Sequence, residues 1–198
     1  MVIGERFAWG HLQKTAGDAT LGLFRLFPDL IVYSDPRNVE EKHASFSSRA
    51  AEIDGKLLAA NFRRLPDWTL SWAQHRARYS KRPDGRPVAM SSPHQMAENA
   101  RADKRLSILT DDGRYHIDRW IRMELLAADF TAFVSELTDV SEQDRERIAG
   151  FELVNALDYD HDITHWFTPE QVQRLYRNNP LWASIEERVY GDLALLDQ

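Results

Sequence analysis

The chain has 198 residues, 43% hydrophobic and 28% charged, a balance that suits one domain with a substantial core. It contains no cysteine, which excludes disulfides, thiolate catalysis and cysteine-type zinc sites. A net charge of −6 argues against nucleic acid as the main partner, and no apolar run approaches the roughly 20 residues of a membrane span. The first residues lack the charged and apolar regions of a signal peptide, so a cytoplasmic protein without a membrane anchor is expected.

In chain order, the first predicted element is a strand over Phe7–His11. A short loop with Lys14, Thr15 and Gly17 follows, then a helix carrying Leu21, Phe24, Leu26 and Phe27. Strand, small-residue loop and helix N-terminus together make an anion site, because the first helical N–H groups lack acceptors and the helix dipole favours negative charge. Lys14 adds a full positive charge and Thr15 a hydroxyl. A phosphate is expected here.

Further strands are predicted at Leu30–Tyr33 and Leu57–Phe62, and a helix after Pro66 with Trp68, Ser71, Trp72 and His75 at helical spacing. Residues 63 to 86 hold Arg63, Arg64, Arg76, Arg78, Lys81, Arg82 and Arg86 against Asp67 and Asp84, a local basic segment that fits a small anionic ligand or a solvated helix face. Residues 80 to 95, with three prolines and a Pro-Asp-Gly turn, read as a loop beside a site, with His94 and Gln95 available to an acceptor. A strand over Ile117–Glu124 leads into a helix over Leu125–Leu137. A helix opens at Ser141, and the last has Thr168, Pro169 and Gln171 as a capping box and ends near Asn178-Asn179-Pro180. This order predicts βαβ units in a single domain over residues 1–198, an α/β fold with a central, mainly parallel sheet flanked by helices. Ligands of such sheets bind at the carboxyl ends of strands, just before both Lys14 and Arg63.

The loop is not a Walker A motif, since no glycine precedes Lys14, and no apolar strand ends in an Asp that would hold magnesium. His11-Leu-Gln-Lys14-Thr15-Ala16-Gly17-Asp18-Ala19-Thr20 instead resembles the 5′-phosphosulfate loop of sulfotransferases that modify carbohydrates, His-x-x-Lys-Thr-Gly/Ala-Gly-Thr-Ser-x. Asn61-Phe-Arg63-Arg64-Leu-Pro66-Asp-Trp-Thr-Leu-Ser71 is similar to the family's strand-end Arg and helix Ser, which grip the donor's 3′-phosphate. Arg63 and Ser71 keep the family spacing, whereas aligning on Pro66 selects Arg64. Glu41-Lys42-His43-Ala-Ser-Phe46 resembles a Gly-His-x-x-aromatic setting whose His is the catalytic base, with Lys42 in place of the Gly. Trp120-Ile-Arg122-Met-Glu124-Leu-Leu-Ala-Ala-Asp129-Phe130 is similar to a family segment where a strand passes into a helix, with a mostly structural role.

The resemblance, spanning about residues 6 to 134, implies a P-loop NTPase-like three-layer fold and the donor 3′-phosphoadenosine 5′-phosphosulfate (PAPS), with PAP as product and no metal. It implies sulfuryl transfer to a hydroxyl or amine of a carbohydrate or small-molecule acceptor. Lys14 would stabilise the leaving phosphate oxygen, His43 would take the acceptor proton, residues Lys14, Thr15, Ala16, Gly17, Asp18, Ala19 and Thr20 would cradle the 5′ side, and Arg63 and Ser71 would hold the 3′-phosphate. Two positions depart from the pattern. Asp18 and Ala19 stand where the family carries hydroxyl residues; Asp18 is expected to cap the helix, with Thr20 supplying a hydroxyl.

Other readings compete. A P-loop-related kinase would use ATP and magnesium, and a catalytically degenerate PAP-binding or nucleotide-binding protein would keep the fold but not the chemistry. Asp158-Tyr-Asp160-His161-Asp162-Ile-Thr-His165 offers two histidines four apart, which would share a face on a helix and could bind metal, but the stretch reads as a polar loop. Trp68, Trp72 and Trp166 could stack on a sugar or pack in the core.

Overall fold

A computed structural model describes residues 1–35, 43–152 and 158–196. The chain forms two compact units, residues 1–62 with 105–155 and residues 63–104 with 156–198.

The first unit is α/β. Among the described residues its strands are β1 (Val2–Ile3), β2 (Phe7–Gly10), β3 (Tyr33–Ser34), β4 (Leu57–Phe62) and β5 (Arg119–Arg122), in the sheet order β3-β1-β2-β4-β5. β2, β4 and β5 pair in parallel, with Gly10 opposite Ala60 and Phe62 opposite Arg122. β1 runs antiparallel to both β2 and β3, so the sheet is mixed. The expected mainly parallel pairing holds for β2, β4 and β5 but not for the β3-β1 edge, and the cause is local. Pro28 opens a 3-10 turn over Pro28–Leu30, which consumes Leu30 and delays the strand to Tyr33. The two-residue β1 then separates that strand from β2.

Side-chain alternation assigns the faces. Phe7 and Trp9 of β2, Ala59 of β4 and Ile121 of β5 join one buried cluster with Leu23 and Phe24 of α1 (Gly17–Phe24). Leu126, Phe130, Phe133 and Val134 of α6 (Leu126–Ser135) complete it, with Ile148 of α7 (Glu142–Ala149). Phe7 and Phe24 stack at 5.4 Å, and Phe130 and Phe133 meet Phe24 edge-on. Serine 141 caps α7 through the expected box with Asp144. A short helix, α2 (Ala50–Ile53), precedes β4.

The second unit holds α3 (Leu65–Tyr79), α4 (Pro93–Asn99), α8 (Pro169–Asn178) and α9 (Pro180–Tyr190), and the boundary between units falls inside α5 (Ala102–Thr110). Trp68 of α3 lies fully inside, against Trp72 at 5.6 Å and Trp182 of α9 at 5.1 Å, which settles its role as packing. The Thr168 capping box of α8 forms as read. The segment from 80 to 95 is more ordered than a loop. Lys81 bridges Pro87, Arg82 and Arg86 close a tight turn, and Ser92 opens α4 in a capping box with Gln95. His94 and Gln95 therefore lie in a helix's first turn, and the Gln95 side chain is spent on Ser92.

The helices α5 and α9 also escape the sequence reading, because their caps come from far along the chain. The side-chain oxygen of Asn179 accepts from the N–H groups of Ala102 and Asp103 at 2.9 and 3.3 Å. Asp103 in turn accepts from Leu181 and Trp182 at 3.0 and 2.7 Å. Pro180, read as a stop, is the first residue of α9. Among the described residues no helix is long and apolar enough to cross a membrane.

Candidate functional site

The loop between β2 and α1 leaves the carboxyl end of a strand that has a parallel neighbour, at Gly10. Both Lys14 and Ala16 adopt left-handed backbone conformations, with φ of 65° and 63°. Such residues cost roughly 1–2 kcal/mol each unless they are glycine, so the surroundings must hold them. Left-handed turns of this kind aim successive N–H groups into a concavity that suits an anion. Ala16 is the N-cap of α1 and offers no side-chain acceptor, so the N-cap side chain does not serve the first N–H groups.

Asn61 of β4 holds the loop in this shape. Its side chain is fully buried and accepts from the Trp9 indole N–H at 2.8 Å. Its amide nitrogen donates to the Thr15 carbonyl at 2.8 Å and to the Thr20 hydroxyl at 2.6 Å. Thr20 passes the bond on to the Ala16 carbonyl, and the Thr15 hydroxyl donates to the Leu12 carbonyl at 2.8 Å. Thr15 and Thr20 are both fully buried, so their hydroxyls shape the loop. Asp18 is not the cap that the sequence suggested. It lies within the first turn of α1, where a carboxylate complements the helix dipole. Gly17 and Ala19 are buried beside it.

His11 packs under the loop. A Cβ on Gly17 would fall 1.8 Å from His11 Nε2, so only glycine lets the helix start so close to the ring. The His11 and His43 rings meet edge-on at 4.5 Å, and His43 Nδ1 lies 3.1 Å from the His11 carbonyl oxygen. A carbonyl only accepts, so Nδ1 carries the proton, and in the neutral form of the ring the lone pair then falls on Nε2. That is the tautomer a general base needs. Glu41 and Lys42 of the same motif lie outside the described residues. Gly17→Ala is expected to destabilise the protein by about 1–3 kcal/mol by driving a methyl into His11. Ala16→Gly, which relieves the strained φ, is expected to be neutral or mildly stabilising. Urea unfolding of both variants tests the pair, and equal losses would refute the assignment.

In the second unit, Arg63 and Arg64 separate cleanly. Arg64 binds Glu186 at 3.3 Å and Asp192 at 2.7 Å and lies 4.1 Å over the Tyr190 ring, so its guanidinium is committed to structure. Arg63 is only 6% exposed, its nearest carboxylate is Asp67 at 4.0 Å, and its Nε has no hydrogen-bond partner among the described residues. A buried, underused guanidinium is costly unless a ligand completes it. Ser71 is buried one turn beyond Asp67 on the same helix face. The other basic residues of the segment, Arg76, Arg78, Lys81, Arg82 and Arg86, are exposed.

The remaining candidates have structural roles. Arg122 forms a two-pronged pair with Asp129 at 2.8 Å, and Phe130 is core. The Trp120 ring packs on Phe62 at 5.1 Å. His161 and His165 do not share a helix, because His165 ends a 3-10 turn, where it bonds Asp160 at 2.5 Å. This bond raises the His165 pKa and lowers that of Asp160. Trp166 donates its indole N–H to the Asp160 carbonyl. A cavity of about 460 Å³ opens where β4 begins, at Ile53, Lys56, Leu58, Tyr115 and His116.

No family model, curated protein or solved structure matches the chain.

Proposed function

We propose that the chain is a PAPS-dependent sulfotransferase with a P-loop-like three-layer arrangement about its sheet. The observation that carries this reading is the β2–α1 loop. Two left-handed residues, Lys14 and Ala16, flank a buried Thr15, and the helix behind them has no side-chain cap. The resemblance of His11–Thr20 to the phosphosulfate loop gives this anion cradle its ligand. Asp18 in the first turn leaves the cradle to backbone groups and Lys14, not hydroxyls.

In the proposed reaction, the acceptor oxygen or nitrogen bonds to sulfur as the bond from sulfur to the 5′-phosphate oxygen breaks. His43 Nε2 takes the acceptor proton. Lys14 and the N–H groups around Thr15 to Gly17 neutralise the charge that builds on the leaving phosphate, and this preorganised stabilisation does most of the work. Arg63 and Ser71 hold the 3′-phosphate and so select PAPS over ATP. The Thr15 hydroxyl, which a P-loop kinase would turn toward magnesium, is instead bonded to Leu12, so that reading is less well supported. The acceptor class is a carbohydrate or small-molecule hydroxyl or amine.

Calorimetric titration with PAP, AMP and ATP with magnesium tests the proposal. Wild-type protein is expected to bind PAP more tightly than AMP. Arg63→Ala is expected to lose about 1.5–3 kcal/mol of PAP affinity, roughly tenfold to a hundredfold. Binding of ATP with magnesium but not PAP would refute it in favour of the kinase.

A further inference from the structure

The backbone that follows Arg63 is held at two points, and both holds come from α9. The Trp182 indole N–H donates to the Arg63 carbonyl at 3.0 Å. Four residues on, Glu186 Oε2 accepts from the Leu65 N–H at 2.8 Å, at the very start of α3. Residues four apart share a helix face, so one face of α9 grips the chain before and after Arg64. α3 has no local side-chain cap, and Glu186 supplies it across 121 residues of sequence.

Glu186 is fully buried and saturated. Its other oxygen accepts from the Tyr176 hydroxyl at 2.7 Å, the Ala194 N–H at 3.1 Å and Arg64 at 3.3 Å. Burial of this kind pushes its carboxyl above the usual range, against the pull of those bonds. Trp182 is also fully buried. Against this the Arg63 side chain has little of its own to fix it beyond Asp67. The rigidity lies in the backbone and the freedom in the guanidinium.

We propose that Glu186 and Trp182 are positioning residues, which aim the Arg63 guanidinium at the donor's 3′-phosphate by clamping the two peptide units that follow it. This rests on the PAPS reading above. Neither residue touches the ligand, so both act on one quantity only, the preference for a nucleotide that carries a 3′-phosphate.

PAP and AMP differ only in that phosphate, so the ratio of their affinities reads the clamp directly. The titration is run on wild type, Arg63→Ala, Glu186→Ala, Trp182→Phe and the double variant Arg63→Ala/Glu186→Ala, with folding of each checked by circular dichroism. Trp182→Phe keeps an aromatic ring in the core while removing the N–H and part of the indole's volume, and it carries the test if Glu186→Ala does not fold. Expected results are a fall of the PAP/AMP ratio by about tenfold in both single α9 variants, with AMP affinity unchanged, and no further fall when Glu186→Ala is added to Arg63→Ala. An unchanged ratio in the folded α9 variants overturns the clamp, as does a double variant whose losses multiply. A wild type that does not prefer PAP to AMP overturns the PAPS reading, and the clamp's purpose with it.

Discussion

Replacing Lys14 by alanine is expected to slow cleavage of PAPS by about 100-fold to 1,000-fold, the usual cost of removing one preorganised donor to a developing oxyanion. The loop that carries Lys14 is kept in shape by other residues: Asn61 holds Thr15 and Thr20, and Ala16 closes the first turn of α1. The variant therefore loses a charge, not a fold. Because the charge it neutralises appears mainly as the sulfur–oxygen bond breaks, PAP affinity is expected to fall much less than the rate. Slow hydrolysis of PAPS, with water in place of the acceptor, gives a readout that needs no acceptor. A Lys14→Ala protein that releases PAP at the wild-type rate would remove Lys14 from the mechanism.

The largest expected loss of stability comes from Asn61→Ala, at about 3–5 kcal/mol, since each buried polar group left unpaired costs about 1–3 kcal/mol. The Trp9 indole N–H and the Thr15 carbonyl would both be stranded, and the Thr20 hydroxyl would lose its donor. Against a typical total of about 5–15 kcal/mol this is a large share. The measurement is the urea midpoint with the slope unchanged. A loss below about 1 kcal/mol would mean that the network is not what fixes the loop.

What could be read beforehand divides by the distance over which each feature is determined. β4 over Leu57–Phe62 and the loop from Gly10 to Gly17 were legible, because apolar runs, small residues and a helix start are local signals. Asn61 went unremarked as a holder of the loop, though an Asn inside an otherwise apolar six-residue strand is the signal that could have found it. β1, two residues long, has no periodicity to read, and missing it cost the antiparallel half of the sheet. The commitment of Arg64 to ion pairs was beyond any local reading. It depends on Glu186 and Asp192, more than 120 residues away in sequence.

The mutual capping of α5 and α9 has a consequence for how the chain acquires its structure. Asn179, just before α9, completes the start of α5, and Asp103, at the start of α5, completes the start of α9, with 77 residues between Asn179 and Ala102. Neither helix can gain its cap while the other is absent. Closing so long a loop before either bond forms carries an entropic cost, so both helix starts belong to the later part of folding. The two also stand or fall together afterwards. Local opening at either end uncaps the other, which makes them one cooperative segment, and amide exchange at Ala102 and Trp182 is expected to proceed at a matched free energy of opening.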